Sequence, residues 1–173
     1  MGSDMSNWRI GSINGALLAA YFIPVWGIVA YNIMFAPVHA LYEQPNISAA
    51  LFVSDHLNLA GMNLVRVAWL LALGRFAVIA FLAAFLVMLC WPSTRRNGAC
   101  DEALGIALGI GSLISFTCML MASQVGESAA LRLHATELLL MLGTAIVLVF
   151  DRPVQKAVRS DVAVGAPQFA DNR

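Results

Sequence analysis

Residues 67–91 read VAWLLALGRFAVIAFLAAFLVMLCW, and Arg75 is the only charged residue among them. As an α-helix this stretch is about 37 Å long, which exceeds the roughly 30 Å hydrocarbon core of a bilayer. It therefore predicts a transmembrane helix. An arginine at the bilayer centre costs about 2.5 to 3.5 kcal/mol on insertion scales, so we expect another group to compensate its charge.

The composition of the whole chain agrees with a membrane protein. Of its 173 residues, 60% are hydrophobic and 12% charged, and the mean hydropathy is +0.78. Soluble domains carry about 25% charged residues. The net charge is zero with ten Lys and Arg, so a basic surface for nucleic acid is not expected. The cysteines lie far apart without a C-x-x-C pair, which predicts neither a redox nor a zinc motif.

Four stretches are long and apolar enough to span a bilayer, and we predict an all-α integral membrane protein built as a four-helix bundle. The transmembrane domain is expected to cover residues 1–160. Residues 161–173 lack helical periodicity and are predicted to be a flexible cytoplasmic tail. The predicted spans are 13–35, 67–91, 103–123 and 131–150.

Positive charge predicts the orientation of the bundle, because Lys and Arg concentrate in cytoplasmic segments. Most of them fall before the first span, between the second and third, and after the fourth, which places both termini in the cytoplasm. The chain is compact and lacks an organelle-targeting segment, so a bacterial inner membrane is expected. The residues concerned are Arg9, Arg95, Arg96, Arg152, Lys156, Arg159 and Arg173.

The connection between the first two spans, residues 36–63, is too apolar for an ordinary solvated loop. Asn46 suits a helix N-cap, and Ile47, Ala50, Leu51 and Ser54 follow at helical spacing. We expect a short helix lying in the outer interface or across the mouth of the bundle. The alternative is that these residues extend the second span outward.

Counting from the inner helix ends places several polar residues at one depth. Arg75 lies about 24 Å above its inner end and Glu137 about 20 Å, and Trp26, Thr117 and Cys118 fall at similar heights. We therefore predict that Arg75 pairs with Glu137 within a polar layer. The pair is either a structural clasp or part of a site for a quinone, a haem propionate, a lipid phosphate or an ion.

A second polar group is predicted nearer the outer interface, where its members can remain hydrated. His134 shares a helix face with Glu137, which resembles half of a carboxylate-histidine metal motif. One half is insufficient, so no metal is predicted, and the absence of a deep histidine pair argues against haem. The members of this group are Arg66, Glu127, Arg132 and His134.

The third span carries small residues at the spacing that lets two helices approach closely. One line comprises Gly105, Gly109 and Ser112, and a second line comprises Ala107, Gly111 and Ser115. This helix is expected either at the centre of the bundle or at a subunit interface.

The chain lacks a Walker loop, a serine elbow and an H-E-x-x-H sequence, so catalytic residues are not predicted. The leading hypothesis is a non-catalytic subunit that anchors or stabilises a larger inner-membrane complex, such as a respiratory, photosynthetic, secretion or transport complex. A small homo-oligomeric transporter or channel is the first alternative. A quinone- or haem-binding anchor of an oxidoreductase is the second. The expected partners are the lipid bilayer and other membrane subunits or copies of this chain.

Overall fold

The chain folds into helices, and four of them are long and apolar enough to cross a membrane. The computed structural model describes residues 10–57, 61–91 and 99–164, with side chains as far as residue 150, and contains no strand in these ranges. For these residues, the prediction of an all-helical fold with four helices long and apolar enough to span a membrane is thus confirmed. The helices are α1 (Ile10–Phe35), α2 (Pro37–Leu41), α3 (Ile47–Asp55), α4 (Met62–Cys90), α5 (Ala99–Val125) and α6 (Ser128–Val164).

The four long helices extend further than the apolar runs from which they were predicted. Backbone hydrogen bonding continues into the polar flanks until a turn ends it. Gly61 precedes α4 with φ 61° and Gly126 separates α5 from α6 with φ 75°, a backbone region that glycine adopts readily. At the other end, α6 continues to Val164, so the first four residues of the predicted tail are helical. The rest of that tail, residues 165–173, lies outside the described residues.

The four long helices form a ring in which α1 contacts α4 and α6, and α5 contacts the same two helices. This is the arrangement of an up-and-down bundle. Small residues bring the helices close together. A Cβ added to Gly111 would lie 2.7 Å from Met141 Sδ, and one added to Gly15 would lie 2.6 Å from Leu104 Cδ2.

The short helices α2 and α3 cover one end of the bundle, which we call the capped end. We refer to residues 37–55 as the α2–α3 segment. It packs on α1 and α4 through α2 and on α5 through α3. The helix predicted after Asn46 is therefore present and separate from α4, so this segment does not simply extend the second span. Its position in a membrane interface stays a prediction.

The apolar core consists of two clusters of buried residues. The larger contains Trp26 and Val78 and fills the body of the bundle. The smaller contains Ala30 and Ala72 and joins the α2–α3 segment to α1 and α4. On α4 the boundary between the two clusters falls at Arg75, so buried polar groups lie between two apolar layers.

Candidate functional site

Arg75 is 2% exposed, which is unusual for an arginine in an apolar helix. One of its terminal nitrogens donates a 2.6 Å hydrogen bond to Asn46 Oδ1. Its guanidinium carbon lies 5.7 Å from the centroid of the Trp26 ring, within the range of a cation–π interaction. Its Nε is buried and makes no hydrogen bond among the described residues. The charge is thus held by an amide and an aromatic ring.

Glu137 lies in the same layer, 5% exposed, and its carboxyl group contacts polar side chains of three helices. Trp26 Nε1 donates to Oε1 at 2.9 Å. Ser115 Oγ donates to Oε2 at 3.2 Å, and His134 Nδ1 lies 2.9 Å from the same oxygen. The two donors, Trp26 and Ser115, lower the free-energy cost of burying this carboxyl group.

His134 connects this carboxylate to the α2–α3 segment. Its Nε2 lies 3.1 Å from the carbonyl oxygen of Pro45. The next residue, Asn46, donates its side-chain amide to the carbonyl of Ala40 at 2.9 Å while accepting from Arg75. A closed circuit therefore runs through α1, α4, α6 and the turn before α3, and Ser115 joins α5 to it through Glu137. We call it the polar ring, and its members are Trp26, Asn46, Arg75, Ser115, His134 and Glu137.

The predicted pairing of Arg75 with Glu137 takes an indirect form. Within the described residues, no ion pair closer than 4.0 Å joins these two side chains. The indole of Trp26 contacts both of them instead, with its ring toward Arg75 and its N–H toward Glu137. Arg75 and Glu137 therefore belong to one electrostatic group without a direct hydrogen bond.

Only part of the predicted polar layer reaches the interior. Cys118 is buried beside Arg75 and Glu137. Thr117 is exposed on the surface of α5, where its hydroxyl donates to the carbonyl of Leu113 at 2.8 Å. Consecutive helical residues point about 100° apart, so Thr117 and Cys118 do not share a face.

The group predicted near the outer interface is divided by the structure. Arg66 and Arg132 are exposed, as expected, and Glu127 is half-buried. His134 is 2% exposed, so its predicted hydration is wrong. The α2–α3 segment covers His134. The prediction missed this burial because it used only the position of His134 along α6.

Two members of the polar ring were not predicted as site residues. Asn46 was interpreted as a helix cap, and it does precede α3, but its side chain makes no capping bond and contacts Arg75 instead. Ser115 was interpreted only as a small residue. A further, partly buried hydrogen bond, from Asn14 Nδ2 to Thr144 Oγ1 at 3.0 Å, joins α1 to α6 away from the ring.

The described residues do not contain three His, Cys, Asp or Glu side chains placed to hold a metal ion. Both ring nitrogens of His134 already contact oxygen atoms, so neither is directed at a haem iron. Two open grooves of about 370 and 520 Å³ lie on the bundle surface. Their linings contain none of the polar-ring residues.

No family model, curated protein or solved structure matches this chain. Its function must be inferred from its own geometry. Apart from Arg75 Nε, the buried polar side-chain atoms of the polar ring have hydrogen-bond partners within the chain. Chemically, the ring can hold charge and protons inside an apolar bundle, and mechanically it fastens the capped end.

Proposed function

We propose that this chain is a non-catalytic integral membrane subunit that anchors or stabilises a larger membrane-protein complex. The observation that carries the proposal is an uncovered line of small residues on α5. A Cβ added to Gly105 or Gly109 would meet no described atom within 4 Å. Helices associate within lipid largely through such surfaces, because small residues let two backbones approach closely.

The second small-residue line on α5 shows what such a surface does when it has a partner. Ala107, Gly111 and Ser115 are buried within the bundle, and Met141 of α6 packs directly over Gly111. The line through Gly109 also has small residues three or four positions apart, and it lies open. We infer that a helix from another subunit packs on it in the same manner.

The continuation of α6 provides further support. Residues 151–164 extend the helix by about 20 Å beyond the apolar span. Their sequence, DRPVQKAVRSDVAV, is far more polar than the span itself. A helix projecting from a bundle in this way offers a docking element for a soluble domain of the same complex.

The interior of the bundle favours a structural role over transport. Both carboxyl oxygens of Glu137 already contact other members of the ring, Trp26 through Oε1 and Ser115 and His134 through Oε2. A substrate pathway requires polar groups that face an aqueous cavity. We propose a bacterial inner membrane with both termini in the cytoplasm, and reporter fusions at each terminus test that orientation.

The test is extraction of the tagged full chain from its native membrane with a mild detergent, followed by identification of the proteins that co-migrate. We expect specific partner subunits with the wild type and their loss with Gly109→Leu. Ala80→Leu, which enlarges an exposed residue on α4, is the matched control and should retain them. Migration of the wild type alone contradicts the proposal, and migration with copies of itself favours the homo-oligomeric transporter.

A further inference from the structure

The two ring nitrogens of His134 both face hydrogen-bond acceptors. Nδ1 lies 2.9 Å from Glu137 Oε2, and Nε2 lies 3.1 Å from the Pro45 carbonyl oxygen. A neutral imidazole has one N–H and one lone pair, and an ionised carboxylate only accepts. With His134 neutral and Glu137 ionised, one of these two contacts would therefore join two acceptors.

One additional proton satisfies both contacts. It makes His134 an imidazolium that donates to Glu137 and Pro45. Equally, it makes Glu137 a carboxylic acid that donates to Nδ1 while Nε2–H donates to Pro45. The two arrangements contain the same number of protons and place the same heavy atoms at the same distances. Both contacts become hydrogen bonds when the histidine–glutamate pair holds this additional proton.

The charges around this pair oppose that proton. Arg75 of α4 contributes a permanent positive charge, and Cys118 of α5 is the other titratable group close to Glu137. From α1 the neighbour is the neutral indole of Trp26, and from the turn it is the Pro45 carbonyl. With the proton, Arg75, His134 and Glu137 sum to +1, and without it they sum to zero. Hydrogen bonding favours protonation while charge balance favours its loss.

We propose that His134 and Glu137 form a proton-binding site whose occupancy fastens the α2–α3 segment to the bundle. Hydrogen bonds to a carboxylate are the stronger kind, so His134 keeps its Nδ1–H on Glu137 when the proton leaves. Nε2 then presents a lone pair to Pro45, and that contact becomes repulsive. This inference is independent of the proposed subunit role, because it concerns contacts within one chain.

Hydrogen–deuterium exchange of the full chain in detergent micelles tests the proposal. After correction for the intrinsic rate, the amides of α3 should lose about tenfold protection between pH 5.5 and 8, the range in which histidine commonly titrates. The amides of α5 serve as the internal reference. An α3 protection that does not change with pH overturns the proposal.

Glu137→Gln is the decisive variant, because an amide reproduces the protonated pattern. Its oxygen accepts from Trp26, and its two N–H groups donate to neutral His134 and to Ser115. The α3 amides should then remain protected at every pH. His134→Phe removes the link to Pro45, and the same amides should remain weakly protected at every pH. If either variant keeps the wild-type pH dependence, the proposal is wrong.

His39→Gln is the matched control. This histidine of the α2–α3 segment is exposed, and its Nε2 lies 3.8 Å from Glu43 Oε1. The variant should therefore retain the pH dependence of the wild type. Loss of that dependence in His39→Gln would assign the titration to the surface pair and overturn the proposal.

Discussion

The indole N–H of Trp26 donates a 2.9 Å hydrogen bond to Glu137, joining α1 to α6 inside the bundle. The same indole presents its ring to Arg75 of α4. One neutral side chain therefore contacts both charged members of the polar ring. This arrangement gives each charge a partner and requires no close ion pair, whose desolvation can cost more than the attraction returns.

Replacing Trp26 by phenylalanine should destabilise the bundle. The phenyl group keeps an aromatic ring near Arg75, but Oε1 of Glu137 loses its donor. An unsatisfied buried acceptor costs about 1 to 3 kcal/mol. The free energy of unfolding in mixed detergent and SDS micelles measures the change. Trp69→Phe, at a 52% exposed position on α4, should change it by less than about 0.5 kcal/mol. Equal losses in both variants would contradict the specific role of the Trp26 hydrogen bond.

Asn46 makes two side-chain hydrogen bonds, and loss of either should destabilise the bundle. Asn46→Ala removes the acceptor for Arg75 and the donor to Ala40, and we expect a loss of about 3 to 5 kcal/mol because a buried charge loses its partner. Asn46→Asp retains the acceptor and should be less destabilising. Limited proteolysis in the α2–α3 segment checks the consequence locally, with faster cleavage expected for Asn46→Ala. Equal cleavage rates in the two variants would show that the contact with Arg75 is unimportant.

The two small-residue lines of α5 should respond oppositely to a single added methyl group. Gly111→Ala places a Cβ against Met141, and such overpacking typically costs about 1 to 3 kcal/mol. Gly109→Ala has open space around its Cβ and should gain up to about 1 kcal/mol from helix propensity. Unfolding in SDS measures both changes in the isolated chain. The double variant Gly111→Ala/Met141→Ala should destabilise less than the sum of its two single substitutions, since the shortened side chain makes room for the methyl group.

Much of the fold was predictable because lipid imposes simple rules on a helix. The four apolar runs locate all four spans, since every spanning backbone must satisfy its hydrogen bonds internally. Asn46 also located the start of α3 correctly. The predicted helix ends were less accurate, because hydropathy depends on the side chains alone. The helices themselves continue into polar sequence for as long as their backbone hydrogen bonds do, as far as the turns at Gly61 and Gly126.

The polar ring was predictable only in part. Arg75, Trp26 and Glu137 were placed at one depth by counting residues along straight helices. His134 was misplaced because its burial depends on how the α2–α3 segment folds back, which is a long-range contact. The face that His134 shares with Glu137 was recognised from the sequence, but it was interpreted as half of a metal motif and not as a sign of burial. For Asn46 the sequence offered a weaker indication of a place in the polar ring, namely an amide side chain next to Pro45.

Replacing Arg75 by lysine separates charge from geometry. Lysine retains a positive charge but lacks the planar guanidinium that faces the Trp26 ring, and its ammonium reaches Asn46 less favourably. We expect Arg75→Lys to lose about 1 to 2 kcal/mol of unfolding free energy through the weaker contacts with these two residues. Arg75→Gln removes the charge as well and should leave Asn46 with a poorer donor. If only charge mattered, Arg75→Lys would match the wild type and Arg75→Gln alone would unfold more easily. Equal destabilisation of both variants, measured in the same SDS titration, would instead show that the guanidinium shape determines how firmly α4 holds the turn before α3.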